Sequence, residues 1–144
     1  YSDIIISKKI WKIFNKVKSK EITLPIKTNW REIWSIRSKE FLDDAESLKI
    51  DKKKYLKEIR NKIKIKSKVD GQFMGLIYIP KNMIQKIIKI YKDNRLEKMQ
   101  TTQFLNFLLS KNILIKCKTT NIFWYEIDDL IDLTNLNKVK SKID

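Results

Sequence analysis

Glycine and proline each occur only twice in the 144 residues, at Gly71, Gly75, Pro25 and Pro80. A chain so poor in turn formers cannot build the many tight turns of an all-β sandwich or barrel, nor a collagen-like or elastin-like repeat. With Gly71 and Gly75 as its only glycines, it has no glycine-rich phosphate loop of the Walker or Rossmann kind. The length fits one domain, or one small domain with an arm. At 42% hydrophobic and 34% charged residues there is enough apolar material for a core. The unbroken apolar runs, such as Leu76 to Pro80, are far shorter than the ~20 residues of a transmembrane helix. Tyr1 in place of a methionine points to a chain cut from something longer.

Histidine is absent and Cys117 stands alone. Disulfide frameworks, the usual zinc sites and imidazole chemistry are thereby removed. Cys117 falls in a predicted strand and reads as a small buried residue. Glu126, Asp128, Asp129 and Asp132 cluster late in the chain and could hold Mg²⁺. Acidic residues at a helix start explain them equally well, and the same holds for Asp43, Asp44 and Glu46. The expectation is a protein that is not an enzyme and needs no cofactor or metal.

The net charge of +15, with 32 Lys+Arg against 17 Asp+Glu, points to a polyanion. The abundance of Lys and Ile also fits an A/T-rich genome. The charge is nevertheless segregated. Residues 1–20 carry +5, 21–50 carry −1, 51–70 carry +6, 71–121 carry +7 and 122–144 carry −2.

Local patterns predict mostly helix. Ile6, Ile10, Ile13, Phe14 and Val17 recur at helical spacing in a basic amphipathic segment. Thr23 to Thr28, interrupted by Pro25, reads as a connection. Thr28 or Asn29 caps a helix carrying Trp30, Ile33, Trp34 and Arg37. Phe41 to Ile50 is a further helical turn or two. Asp51 caps a helix with Tyr55, Leu56, Ile59 and Ile63 on one stripe. Asp70-Gly71 signals a hairpin between strands at about 64–69 and 75–79. Met83, Ile84, Ile87, Ile88 and Tyr91 mark the next helix, which stops at Asn94. Thr101 caps another, with Phe104, Leu105, Leu108 and Leu109 buried and Asn112 ending it left-handed. ILIKC and IFWYEI are strands around a polar tip, and Asp128 caps a short final helix with Leu130, Ile131 and Leu133.

The segment IPKNMIQKIIKIYKDNRLEKMQTTQFLNFLLSKNILIKCKTTNIFWYEI resembles a winged-helix domain. Its layout is similar to the winged helices attached to replication initiators and primase-helicases of phages, plasmids and viruses. The resemblance implies an α+β, mainly helical fold, with a winged helix-turn-helix and a C-terminal β-hairpin wing. Its parts would be a basic helical arm at 1–50, the winged helix at 51–135 and a flexible basic tail at 136–144.

On that reading residues 101–111 form the recognition helix. Thr101, Thr102, Gln103 and Asn106 would meet base edges in a window, Met99 to Ser110, that holds no charged residue. Lys81, Lys86, Lys89 and Lys111 would hold phosphates, with Lys116, Lys118, Thr119, Thr120 and Asn121 in the wing. The implied function is a non-catalytic, intracellular DNA-binding module of a replication or transcription machine. Duplex DNA is the leading partner, RNA the second, within a larger protein or complex. Two alternatives stand beside it. One is a lysine-rich structural subunit of a ribonucleoprotein such as a ribosome. The other is a winged-helix docking subunit in which Trp11, Trp30, Trp34 and Trp124 mark the interface.

Overall fold

The computed structural model describes residues 3–17, 20–37, 45–62 and 69–139. Its centre is not a helix but the strand β2 (Ile22–Lys27), every residue of which is buried. The run ITLPIK is apolar enough to be covered on both faces, as a central strand is. β2 runs parallel to β6 (Ile115–Thr120), from Ile22 opposite Ile115 to Lys27 opposite Thr120. On its other side it meets β5 (Gln72–Phe73), Ile26 opposite Phe73, and Thr23 exchanges backbone hydrogen bonds with Tyr78. Pro25 lies between those two contacts, where a missing amide hydrogen is tolerated.

Two smaller ladders flank this sheet. β1 (Ile4–Ile6) pairs antiparallel with β7 (Trp124–Glu126), and β3 (Glu46–Ile50) with β4 (Leu56–Lys62). The β3–β4 turn is docked on β6, where Cys117 N donates to Lys54 O at 2.8 Å. The helices are α1 (Ile10–Phe14), α2 (Trp30–Arg37), α3 (Lys81–Asp93), α4 (Thr101–Ser110) and α5 (Leu130–Val139). One apolar cluster runs through all three ladders, and α4 lies against β4.

This is not a winged helix with a helical arm. The expected helix through Ile6 begins instead as strand β1, and only Ile10–Phe14 is helical. The expected connection at 23–28 is the central strand. The expected helix after Asp51 is strand β4, with Asp51 shaping the hairpin turn: Tyr55 N donates to its Oδ1 at 2.8 Å. The part of 41–50 that is described is strand β3. The division expected at residue 50 therefore falls inside a hairpin. β6 and β7 exist, but they pair with β2 and β1 rather than with each other, so no wing forms. The predicted strand at 75–79 reduces to the single bridge at Tyr78, and that at 64–69 lies outside the described residues except Val69, which is not in a strand.

Other expectations match. Helices α2, α3, α4 and α5 stand where periodicity places them, and Asn112 is left-handed at φ 58°. The N-cap of α4 is Gln100, one residue before Thr101, in a reciprocal capping box with Gln103. On α5, Leu130, Ile131 and Leu133 are exposed.

Gly71 marks the tightest approach to the central strand. A Cβ there would stand 2.5 Å from Ile26 Cγ2 and 2.7 Å from the carbonyl oxygen of Lys27. Gly71→Ala is expected to cost about 1–3 kcal/mol, because one of the two obstacles is backbone that cannot rotate away. Urea unfolding midpoints of the two proteins measure it.

Cys117 is buried, and desolvation pushes its thiol up to about 12, with Asp51 adding to the rise and Lys116 and Lys54 opposing it. In the native protein it should resist a thiol reagent at pH 8, reacting at least ~100-fold more slowly than in the unfolded chain. Spectrophotometric labelling with and without denaturant reads the difference.

Candidate functional site

The face of α4 expected to read DNA bases is used inside the molecule. Thr102 is buried, and its hydroxyl donates to Glu46 Oε1 at 3.1 Å. Asn106 grips the β4 backbone at one residue, its Nδ2 donating to Ile59 O and its Oδ1 accepting from Ile59 N. Gln103 Oε1 accepts from Gln100 N at 2.9 Å, which closes the cap. A polar, uncharged helix face therefore docks onto a β-hairpin, satisfying its edge.

The basic residues are spread over several elements. Lys81, Lys86 and Lys89 are exposed on α3, and Lys111 lies over the Phe107 ring at the end of α4. Lys116 is tied to the β3–β4 turn: Nζ donates to Lys53 O at 2.7 Å and sits 4.2 Å from the centre of the Tyr55 ring. Lys118 and Thr119 are exposed on β6. Thr120 Oγ1 accepts from Ile122 N, and Asn121 Oδ1 accepts from the Thr28 hydroxyl and Asn29 N. The expected wing tip is thus pinned to the start of α2.

Between the β3–β4 hairpin, β7, α2 and the start of α4 lies a cleft of about 420 Å³. Glu46, Gln72, Thr101, Thr102, Trp124 and Glu126 are among its walls. Trp124 and Glu126 are two apart on β7, so strand alternation brings them to one face. Trp34 closes another side, stacked on Trp124 with ring centres 4.8 Å apart and planes 28° apart, and Trp30 meets Trp34 edge-on. The indole N–H of Trp124, on a residue only 1% exposed, has no acceptor among the described residues.

The cleft environment perturbs Glu46. Half-burial pushes its carboxyl above the ordinary glutamate range, against the opposing pull of the Thr102 hydroxyl and of Arg60, whose Nε lies 4.0 Å away. Gln72 Nε2 holds the Glu46 carbonyl at 2.8 Å. Farther along β3, Ser47 donates to Glu58 Oε1 of β4 at 2.8 Å and Lys49 pairs with Glu58 Oε2 at 2.6 Å.

Beyond Glu126 the chain reaches the acidic cluster seen in the sequence. The helix-start explanation holds for two of its members. Asp129 Oδ1 accepts from Asp132 N, and Asp132 Oδ2 accepts from Asp128 N. Asp128 itself is exposed at the end of β7. Beside it, Ile127 N donates to Asp3 O at 2.9 Å, so Asp3, just before β1, and Asp128, two residues past β7, flank one end of the β1–β7 ladder. Among the described residues no group of three or more His, Cys, Asp or Glu could enclose a metal ion.

Comparison with known proteins agrees with this architecture and not with a DNA-binding one. The chain is 28% identical over 143 residues to the CTP:phosphoglutamine cytidylyltransferase of Campylobacter jejuni, covering 92% of this chain and 55% of that enzyme. The solved inositol-1-phosphate CTP transferase from T. maritima superimposes on 99% of it with a TM-score of 0.60 at 15% identity. The two share a fold. The chain spans about half the length of each of these relatives, 55% in both cases. No protein-family model matches it.

These likenesses overturn the winged-helix resemblance, and with it the DNA-binding, replication and transcription reading and the nucleic-acid partners. They equally leave the ribonucleoprotein and docking alternatives without support. The expectation of a non-catalytic module falls too, since both relatives are named as transferases. Among the described residues no helix is long and apolar enough to cross a membrane, as expected.

Of the cleft residues, the sequence singles out Thr101 and Thr102, and for base contact rather than for this cleft. Glu46 and Glu126 were read with the acidic runs, and Trp34 and Trp124 as core or interface. The available signal was the sign of the charge: both carboxylates belong to the two non-basic blocks of a strongly basic chain.

Proposed function

We propose that this chain forms the acceptor side of an intracellular cytidylyltransferase that joins a phosphorylated small molecule to the cytidylyl group of CTP. The observation that carries this reading is the similarity to the Campylobacter jejuni enzyme along nearly the whole chain, 92% of it. It is supported by a fold shared with a second CTP transferase whose named acceptor is also phosphorylated, and by a polar cleft at the end of β7.

In the reaction, an oxygen of the acceptor's phosphate attacks the α-phosphorus of CTP. The bond from that phosphorus to the bridging oxygen of the β-phosphate breaks, and pyrophosphate leaves with the electron pair. The product is a CDP-linked compound. Little covalent chemistry falls to the protein, so positioning and charge stabilisation carry the rate.

The cleft would hold the non-phosphate body of the acceptor. Hydroxyl and amide groups from Thr101, Gln72 and Gln100 offer directional hydrogen bonds, and the Trp34–Trp124 stack gives a rigid apolar wall. Its phosphate would then project toward the end of β7. A nucleoside triphosphate is handled as its Mg²⁺ complex, in which one or two carboxylates and the phosphates themselves supply the ligands. Asp3 and Asp128, flanking one end of the β1–β7 ladder, would be the carboxylates of that set. A cation there would neutralise charge building on the phosphate oxygens. The excess of lysine over the rest of the surface would raise the local concentration of anionic substrates.

The test is ³¹P NMR of the protein, as its gene encodes it, with CTP, Mg²⁺ and a panel of phosphorylated amino acids, amines and polyols. The expected result is a paired diphosphate signal of a CDP-linked product growing in step with pyrophosphate. CTP persisting unchanged with every acceptor would refute the assignment.

A further inference from the structure

We propose that α1 and α3 form a docking surface for an anionic lipid bilayer, which holds the protein against a membrane face. The inference lies outside the transferase reading and stands or falls without it.

α3 is little used by the core. Of its 13 residues only Ile87 is buried. Its apolar residues nevertheless cover a broad arc. At 3.6 residues per turn, Ile90, Met83, Ile87, Tyr91, Ile84 and Ile88 follow one another over about 160° of the helix. Ile87 in mid-arc meets the core, while Ile84 and Ile88, one turn apart at one border, are 41% and 42% exposed. Lys81 and Lys92 come next around the helix, and both are exposed.

α1 supplies the second part. Its Trp11 is largely exposed and meets Phe14 with ring centres 6.2 Å apart. Phe14 in turn stacks on Tyr78 at 6.5 Å, two residues before the Pro80 that opens α3. Lys8, Lys12 and Lys16 are exposed along α1 and its flanks, and Lys20 shares a surface hollow with Lys81 and Asn82. The two basic stretches are therefore neighbours. From Lys8 to Val17, and again from Lys81 to Lys92, there is no acidic residue, although the chain holds 17 of them.

This charge pattern selects the occupant. Two copies of so basic a face repel each other, which removes a second copy of the chain. A soluble polyanion would use the lysines but leave Trp11, Ile84 and Ile88 in water. An anionic bilayer uses both sets: its phosphates attract the ammonium groups, and its acyl boundary takes the indole and the isoleucines while the lysine stems lie along it. Among the described residues no helix is long and apolar enough to cross a membrane, so the attachment is peripheral.

Vesicle sedimentation of the protein as its gene encodes it tests this. Vesicles of phosphatidylcholine with about one-third phosphatidylglycerol should bind it at least about tenfold more strongly than phosphatidylcholine alone. Lys81→Glu with Lys92→Glu should weaken that binding about tenfold or more, and Ile84→Gln with Ile88→Gln several-fold. Lys52→Glu with Lys118→Glu removes the same charge from the exposed β3–β4 turn and β6, and should change it no more than about threefold. Equal binding to both vesicles, or binding to neither, would overturn the proposal. So would an equal loss in the two lysine pairs, or an isoleucine pair that binds like the unaltered protein, since either outcome marks diffuse attraction of a cationic protein. Should a variant fail to fold, the unaltered protein decides: its tryptophan emission should move to shorter wavelength with the anionic vesicles only, and an unmoved spectrum contradicts insertion of Trp11.

Discussion

Asp128→Asn is expected to lower cytidylyl transfer by about 100-fold or more while leaving the folded structure in place. Asp128 is exposed just past β7, and its backbone N–H donates to Asp132 Oδ2. Exchanging an oxygen for an amide nitrogen keeps the size of the side chain and removes the charge a phosphate-bound cation needs. Asp129→Asn is the control. Asp129 caps α5 through the Asp132 N–H, a task asparagine also performs, so transfer should stay within about twofold of the unaltered protein. Initial rates of pyrophosphate release, with circular dichroism to confirm folding, measure both. Equal losses in the two variants would place Asp128 among the structural carboxylates.

The largest loss of stability is expected from Trp124→Ala, about 3–5 kcal/mol. Trp124 is 1% exposed, opposes Ile6 across the β1–β7 ladder and stacks on Trp34. Its removal opens a hole where α2 meets that ladder, beside the cleft. Domains of this size have only about 5–15 kcal/mol in hand, so much of the protein would unfold in mild denaturant. Trp124→Phe keeps an aromatic wall and should cost less than half as much. Guanidinium unfolding curves of the two variants measure both.

How much of this was legible in the sequence depended on whether a pattern is local. α3 and α4 were legible because their apolar residues recur over several turns and because Asn94 and Asn112 stop them. β6 and β7 were legible from β-branched and aromatic residues. What they pair with was not, since Ile22 and Ile115 are far apart in sequence and no composition announces their register. A hairpin wing is the default for neighbouring strands. Here Asn121 instead fastens the intervening loop to α2 and sends the two strands to different ladders.

β4 was misread for an instructive reason. Leu56 and Ile59 are three apart, a helical spacing, yet both are buried from a strand. The register shifts where Ile50 faces Leu56 and Lys49 faces Glu58, so Lys57 is an extra residue. Such a bulge inserts one position into the alternation, and a spacing of two becomes three. A second irregularity follows around Arg60, whose φ is 84°. Central β2 was hidden by Pro25, which normally argues against an inner strand. The site was harder still to see. Glu46, Thr102 and Trp124 come from three separate regions, and only the folded hairpin and α4 bring them to one cleft.

The central claim is that this cleft receives the acceptor, and the indole N–H resonances of the four tryptophans report on it directly. Trp34 and Trp124 line the cleft, whereas Trp11 is 63% exposed on α1 and is not part of its wall. In ¹H–¹⁵N spectra recorded while phosphoethanolamine is added, the Trp34 and Trp124 signals should move together and saturate, with Trp11 unmoved. Saturable shifts at Trp11 alone, or no saturable shift at any tryptophan, would contradict the account.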